Sequence, residues 1–158
     1  MAAVKTDIEK AVHRYGDMLL RISTIMLGSV SDAEDVLQET IIRYIEKAPF
    51  FNDADHEKAW LIKVAVNKCK DIQRRRKRYS YTEMENIRDS FIQPENTGVF
   101  DSLMALPEKY RLVMLLFYVE GYSTQEIAPI IGRSASAVKM RLKKGRELLK
   151  EEYIKGDM

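Results

Sequence analysis

Hydrophobic positions recur along almost the whole chain at three- and four-residue steps, the period of helices that each bury one face. Ile8, Val12, Tyr15, Leu19, Ile22 and Met26 form the first such stripe, which predicts an amphipathic helix ending near Gly28. Ser31-Asp-Ala-Glu34 has the S-x-x-E spacing of a capping box and predicts the next start. The helix after it places Ala33, Leu37, Ile41, Tyr44 and Ile45 on one face and runs to about Ala48-Pro49. A polar loop, Asn52 to Glu57, precedes a third helix from about Lys58 to Arg78. Val64-Ala65-Val66 is β-branched but keeps the helical period, and no segment alternates as a strand does.

From Tyr79 to Phe100 the period fades among Ser80, Thr82, Asn86, Ser90, Pro94, Asn96, Thr97 and Gly98. This predicts a linker with one short helix around Glu83–Phe91. The period returns at Leu103. Pro107 suits the first turn of a helix that Gly121 closes. Ser123-Thr-Gln-Glu126 is a second capping box, opening a short helix that stops at Gly132. Ser134 can cap a last helix running towards Tyr153. The expected fold is all-α: two small helical domains, 1–79 and 101–158, joined by a flexible linker, 80–100.

Composition narrows the function classes. With 158 residues and 46% hydrophobic content the chain can build a core, yet 32% of it is charged. A single Cys excludes an intramolecular disulfide and a cysteine-based zinc site. The two His residues, His13 and His56, lie far apart, and no Ser/His/Asp set or Gly-rich phosphate loop is present. No catalytic, metal or cofactor site is therefore expected. No apolar run approaches the ~20 residues of a membrane span, and the N-terminus has no signal-peptide core. These features predict a soluble intracellular protein.

The net charge is only +2, but the charge is segregated. Asp32 to Glu57 holds eight acids against Arg43 and Lys47; Lys63 to Arg78 holds eight bases against Asp71; Arg133 to Lys150 holds seven bases against Glu147. One such run is usually a solvated face. Two basic helices, each terminal in its unit, point towards phosphate neutralisation.

Stepping 100° per residue resolves three faces. On the last helix Val138, Leu142, Gly145 and Leu149 form the buried stripe. Ser136, Met140 and Lys143 lie opposite, with Lys139 at the flank. A capped helix, a glycine turn and this helix have helix-turn-helix spacing, in which the second helix enters the major groove; a plain helical hairpin has the same pattern. On the third helix Leu61, Ala65, Cys69 and Ile72 cluster, and Lys63, Asn67, Lys70 and Arg74 face away. Cations around one amide suit phosphate contact plus one base hydrogen bond, although an isolated surface Asn is common. Trp60 lies nearer this face than the core stripe and has two roles open to it, bracing the loop or simply packing, of which packing is expected. On the second helix Asp35, Glu39 and Glu46 ring Ile42, with Gln38 at the edge, an arrangement that fits a protein interface.

Together these residues resemble a bacterial sigma factor of the small two-domain extracytoplasmic-function (ECF) group. Tyr15-Gly-Asp-Met-Leu-Leu-Arg, Asp32-Ala-Glu-Asp-Val-Leu-Gln-Glu-Thr and Trp60-Leu-Ile-Lys-Val-Ala-Val-Asn-Lys are similar to that family's region 2. Leu106-Pro-Glu-Lys-Tyr-Arg, Tyr118-Val-Glu-Gly-Tyr-Ser-Thr-Gln-Glu-Ile-Ala and Ala137-Val-Lys-Met-Arg-Leu-Lys-Lys-Gly-Arg are similar to its region 4. The resemblance implies a protein that binds core RNA polymerase, places it on promoter DNA and helps melt the duplex, with the chemistry left to the polymerase. It implies a cytoplasmic protein, nucleoid-associated in the holoenzyme. By position Asp35, Gln38, Glu39 and Ile42 would meet the clamp coiled coil of the polymerase β′ subunit. Lys63, Asn67, Lys70, Arg74 and the loop Phe51–Asp55 would handle the minus-ten element. Arg133, Ser136, Lys139, Met140 and Lys143 would meet the minus-thirty-five element. The β flap and an anti-sigma factor are further partners that the resemblance implies, and no sensing extension is expected beyond Met158.

Three residues depart from the family pattern. Pro129 stands inside the first helix of the helix-turn-helix, where a kink is expected. Met140 replaces a common Ser, so it offers a thymine methyl contact in place of a hydroxyl. Gly145 replaces a common Ala. Two rival functions remain: a stand-alone helix-turn-helix regulator, which would bind duplex DNA without polymerase, and an enzyme, for which the residues provide no constellation.

Overall fold

The computed structural model describes residues 2–76 and 97–157, with side chains over 8–76 and 101–155. The expected linker helix at 83–91, and the end of the basic run at Lys77 and Arg78, lie outside them. All described elements are helical, and the chain divides into two compact units, Met1–Tyr81 and Thr82–Met158.

In the first unit α1 (Ala2–Leu27), α2 (Val30–Lys47) and α3 (Ala54–Arg76) pack each against the other two. The core is Leu19 and Ile22 from α1, Ala33 and Val36 from α2, and Leu61, Ile62, Ala65, Val66 and Cys69 from α3. Two buried hydroxyls are satisfied within their own helices. Thr24 Oγ1 donates to Leu20 O and Thr40 Oγ1 to Val36 O, each at 2.7 Å, so neither carries the cost of an unmade bond.

Four sequence expectations shift here. The α2 cap is Ser29, not Ser31: its hydroxyl accepts the Asp32 N–H at 3.2 Å, and the helix begins at Val30. Gly28, at φ 67°, ends α1 and turns the chain at once, so the first residue after it already stands at the cap. The buried line of α2 is accordingly Ala33, Val36 and Thr40. Leu37, Ile41 and Tyr44 are half-buried and Ile45 is 53% exposed. Third, α3 starts at Ala54, four residues before Lys58, because the Asp53 carboxylate accepts the His56 N–H at 2.8 Å. In α1, Val12 is exposed and the buried line passes through Ala11 and Met18 instead.

The end of α3 closes the unit. Gln73 Nε2 donates to Met26 O at 3.0 Å, and the Arg76 guanidinium donates to Leu27 O and pairs with Asp32 in the first turn of α2. One cation thus satisfies a carbonyl at the C-terminus of α1 and a carboxylate at the N-terminus of α2. Both charged side chains are mostly buried, and removing one partner of such a pair costs about 3 kcal/mol or more. Arg76→Ala is expected to lower the melting temperature of this unit by roughly 10 °C or more. A thermal scan showing a shift under about 2 °C would show the pair to be energetically idle.

In the second unit α4 (Thr97–Met104), α5 (Glu108–Met114) and α6 (Thr124–Ile131) pack on α7 (Ala135–Asp157). Helix α4 begins within the stretch expected as linker, because Thr97 and Gly98 are poor helix formers and hide its start. Pro107 is the residue just before α5, not its first turn, and its carbonyl accepts from Tyr110 N at 3.0 Å. Helix α5 continues as one wider π turn, Leu115–Val119, which turns Leu115 and Leu116 inward and leaves Tyr118 and Val119 exposed. The core joins Val113, Leu116, Ile127, Val138 and Leu142. Gly145 has a packing reason: a Cβ there would sit 2.8 Å from Met114 Sδ. Helix α6 runs unbroken through Pro129 to Ile131, so the expected kink does not interrupt it. Pro129 lies in the last turn and is exposed, where it forfeits one backbone bond only.

Candidate functional site

On α2 the outward face carries Asp35, Gln38, Glu39 and Ile42, all exposed, with Ile42 at 52%. Burial of Ala33, Val36 and Thr40 on the other side fixes that orientation. Glu39 reaches Lys68 of α3 at 3.7 Å, a solvent-exposed pair worth at most ~1 kcal/mol. The structure therefore brings the four residues together on one surface around an apolar centre.

On α3 Lys63, Asn67 and Arg74 are exposed and Lys70 is half-buried. Arg74 lies 3.4 Å from Asp71, one turn earlier on the same helix. Thus the basic run is not uniform. Arg74 and Arg75 face solvent, whereas Arg76 and Gln73 hold the end of α1. Nothing in the residue types separates these roles, since helix phase alone decides which cation meets the α1–α2 turn.

The loop before α3 is braced by an aromatic cluster that the sequence pattern left unseen. Tyr44 and Phe51 stack at 6.2 Å, and Trp60 meets both rings edge-on at 6.2 and 5.8 Å. His56 meets Phe51 edge-on at 5.3 Å, and its Nδ1 accepts the Asn52 N–H at 3.1 Å. The Tyr44 hydroxyl donates to Glu57 Oε2 at 2.8 Å, and the Tyr15 hydroxyl to Ala54 O at 3.3 Å. Burial raises the Tyr15 phenol above its ordinary pKa, with Glu57 adding to the effect against the opposing Arg14 contact, and keeps the hydroxyl a neutral donor. Trp60 therefore packs, as expected, and through that packing also braces the loop. Beside the loop lies an open cavity of about 470 Å3, lined by residues that include Lys10, Arg14, Tyr44, Phe50, Phe51, Asp53 and Glu57.

In the second unit the turn between α6 and α7 is built as its residues predict. Ser123 Oγ accepts Glu126 N–H at 3.1 Å, and Glu126 Oε1 accepts Ser123 N–H at 3.0 Å. Gly132, at φ 69°, ends α6, and the N–H groups of Gly132 and Arg133 both donate to Ala128 O. Ser134 Oγ accepts Ala137 N–H at 3.1 Å at the start of α7. Arg133, Ser136, Lys139, Met140 and Lys143 are all exposed, and Met140 is 73% exposed. Arg141, outside the predicted set, is half-buried at their flank. Its guanidinium pKa is lowered first by burial and then by the positive charge of Arg133.

Away from this face, Leu103, Met114, Leu115, Tyr118, Val119 and Leu149 line an almost wholly apolar groove of about 310 Å3. Arg146 sits at its rim and donates to the Tyr118 hydroxyl at 3.0 Å. Among the described residues no cluster of His, Cys, Asp or Glu could hold a metal ion, and no helix is long and apolar enough to cross a membrane.

Two family models match the chain. Sigma-70 region 2 matches residues 11–79, and Sigma-70, region 4 matches residues 99–149. The chain is 29% identical over 157 residues to the ECF RNA polymerase sigma factor SigW of Bacillus subtilis, covering 87% of this chain and 84% of that one. It is 25% identical over 144 residues to the RNA polymerase sigma factor SigV of the same organism, covering 87% and 86%. In fold it is similar to the sigma factor RpoE of Bartonella quintana, solved in complex with the anti-sigma factor NepR. That likeness has a TM-score of 0.74 at 22% identity and covers 96% of this chain and 99% of that one.

Proposed function

The chain belongs to the sigma-70 family of RNA polymerase sigma factors, in its ECF group, and from that premise we propose which of its surfaces does which part of the work. A sigma factor binds core RNA polymerase and recognises promoter DNA. The observation that carries the division of labour is the separation of charge in the first unit: acids surround Ile42 on α2, while cations surround Asn67 on α3. The anionic backbone of DNA is repelled by the first face and attracted by the second, which leaves the acidic face for a protein partner.

The α2 face, Asp35, Gln38, Glu39 and Ile42, docks on the β′ clamp coiled coil. The α3 face, Lys63, Asn67, Lys70 and Arg74, with the braced loop, holds the melted minus-ten strand. Arg133, Ser136, Lys139, Met140 and Lys143 meet the minus-thirty-five duplex, and the apolar groove beside Tyr118 seats the β flap. Residues 1–79 and 101–158 are the two working domains, the second extended back to Thr97 by α4, and the residues between them are the connection. Bond-making chemistry stays with the polymerase. The protein acts in the cytoplasm, on the nucleoid once in holoenzyme, and an anti-sigma factor is the inhibitor its family position supports. A pull-down from a bacterial lysate tests the class: the β and β′ subunits are expected on the bait. A gel shift with the free chain on duplex promoter is expected to give little binding, which separates it from a stand-alone regulator.

The recognition helix yields its own test. Met140 is exposed and apolar at the N-terminal half of α7, where it can touch a thymine methyl but cannot donate to a base. Met140→Ser is expected to change preference at one minus-thirty-five position by about tenfold. Lys144→Ala is expected to weaken all promoters alike, as a lost phosphate contact does. A promoter-library profile of Met140→Ser identical to wild type removes Met140 from the reading set.

A further inference from the structure

The thioethers of the chain divide sharply by exposure. Met18, Met26, Met104 and Met114 are buried, at 8% exposure or less, whereas Met140 on α7 is 73% exposed. Two of the buried sulfurs are also engaged by neighbours. Met104 Sδ accepts from the Arg111 guanidinium at 3.6 Å, and Met114 Sδ fills the space beside Gly145, 2.8 Å from where a Cβ would stand. Cys69, the one thiol, is buried as well. Among the described residues Met140 therefore presents the one sulfur open to a dissolved oxidant. Its setting gives that exposure a consequence. Met140 lies one turn after Ser136 and one turn before Lys143 and Lys144, all of them exposed. Helical side chains lean towards the N-terminus, so the two lysines lean back towards Met140 and Met140 towards Ser136. A thioether is only a weak acceptor for such donors, whereas a sulfoxide oxygen is a strongly polar one.

We propose that Met140 is an oxidation site, at which a peroxide changes what the recognition helix reads. The inference rests on the minus-thirty-five assignment of Met140 above and adds a regulation of that same contact. In the step, a lone pair of Sδ attacks one oxygen of hydrogen peroxide. An S–O bond forms and the O–O bond breaks. The sulfur is oxidised by two electrons, and the proton of the transferred oxygen passes to the departing hydroxide, which leaves as water. The product, methionine sulfoxide, is returned to the thioether by methionine sulfoxide reductases. The reduced side chain offers an apolar contact to a thymine methyl. The oxidised one carries an acceptor-only oxygen, which takes an N–H from cytosine N4 or adenine N6 and is repelled by thymine O4. Preference at that position therefore moves from thymine to an amine-bearing base. The fold is untouched by the change, because Met140 lies opposite the buried Val138–Leu142 stripe.

The test treats the full chain with hydrogen peroxide, removes the excess, assembles the chain with untreated core polymerase and profiles a promoter library. Peptide mass spectrometry is expected to find one added oxygen on Met140 while Met18, Met26, Met104 and Met114 stay reduced. The oxidised holoenzyme is expected to lose about fivefold or more on promoters with thymine at one minus-thirty-five position, to gain relative to them on promoters with cytosine or adenine there, and to show an unchanged melting curve. Methionine sulfoxide reductases are expected to restore the original profile. Met140→Leu keeps an apolar side chain that peroxide cannot oxidise, so its treated and untreated profiles are expected to coincide. Oxidation of the buried methionines as readily as Met140, or an oxidised Met140 with the untreated profile, overturns the proposal. A peroxide-dependent shift that persists in Met140→Leu also overturns it, since another residue then carries the change. Met140→Ser, profiled in parallel, separates the inference from the reading beneath it. If Met140→Ser moves the profile and oxidation does not, the minus-thirty-five assignment stands and only the oxidation site fails. If neither moves it, both fail.

Discussion

Asp35→Arg combined with Glu39→Arg is expected to weaken holoenzyme formation by about 100-fold or more while leaving the fold intact. The two carboxylates flank Ile42 on the outward face of α2, and no core residue lies on that side. Reversing two charges at a docking surface replaces attraction by repulsion, and truncating even one desolvated charge pair costs about 2–5 kcal/mol. The fold carries only the loss of the exposed Glu39–Lys68 pair, within ~1 kcal/mol. Competition for core polymerase against an unmodified sigma factor reads the first effect, and thermal unfolding reads the second. Wild-type affinity in the double variant would place the polymerase contact elsewhere. A large fall in melting temperature would instead mean that α2 relies on those acids for its own stability.

Asn67→Ala is the second large effect. Unstacking bases costs a few kcal/mol, and a positioned amide recovers part of that by bonding a base edge, about 1–3 kcal/mol for a good contact. The variant is expected to slow open-complex formation roughly tenfold, with polymerase binding and minus-thirty-five preference unchanged. Asn67 is exposed, so stability is expected to move by less than ~0.5 kcal/mol. Arg74→Ala serves as the contrast: it is expected to lower affinity for every sequence and to flatten the salt dependence. Wild-type melting rates and base preference in Asn67→Ala would reduce Asn67 to a surface residue and leave base capture to the loop.

The two units differ in how much of their working surface could be read from residues alone. In the helix-turn-helix the local capping and phase signals agree with the final structure, the kink expected at Pro129 excepted. Ser123 and Glu126 close their capping box, Gly132 ends α6, Ser134 caps α7, and Val138 and Leu142 turn inward. Each of these is decided within four residues, by side chain-to-backbone bonds or by helical phase. Ser31 shows the limit of the same logic. Its S-x-x-E spacing is as good as that of Ser123, but Gly28 ends α1 first and Ser29 takes the cap. Competition between adjacent caps depends on where the preceding helix stops, and that is a question of packing.

The periodicity of the chain determined by itself that the protein is helical, where the helix-turn-helix lies, and that Asp35, Glu39 and Ile42 share one face and Lys63, Asn67 and Arg74 another. Side-chain direction around a single helix requires only the 100° step. Which members of those faces are free was decided by tertiary structure. Arg74 and Arg76 are chemically the same, yet Arg76 is held by Leu27 O and Asp32 because α3 ends against the α1–α2 turn. Tyr44, Phe51, His56 and Trp60 come from two helices and a loop, and Lys10 and Arg14 reach the same cavity from a third helix. Contacts between residues far apart in sequence have no local period, so they exist only once the three helices have packed.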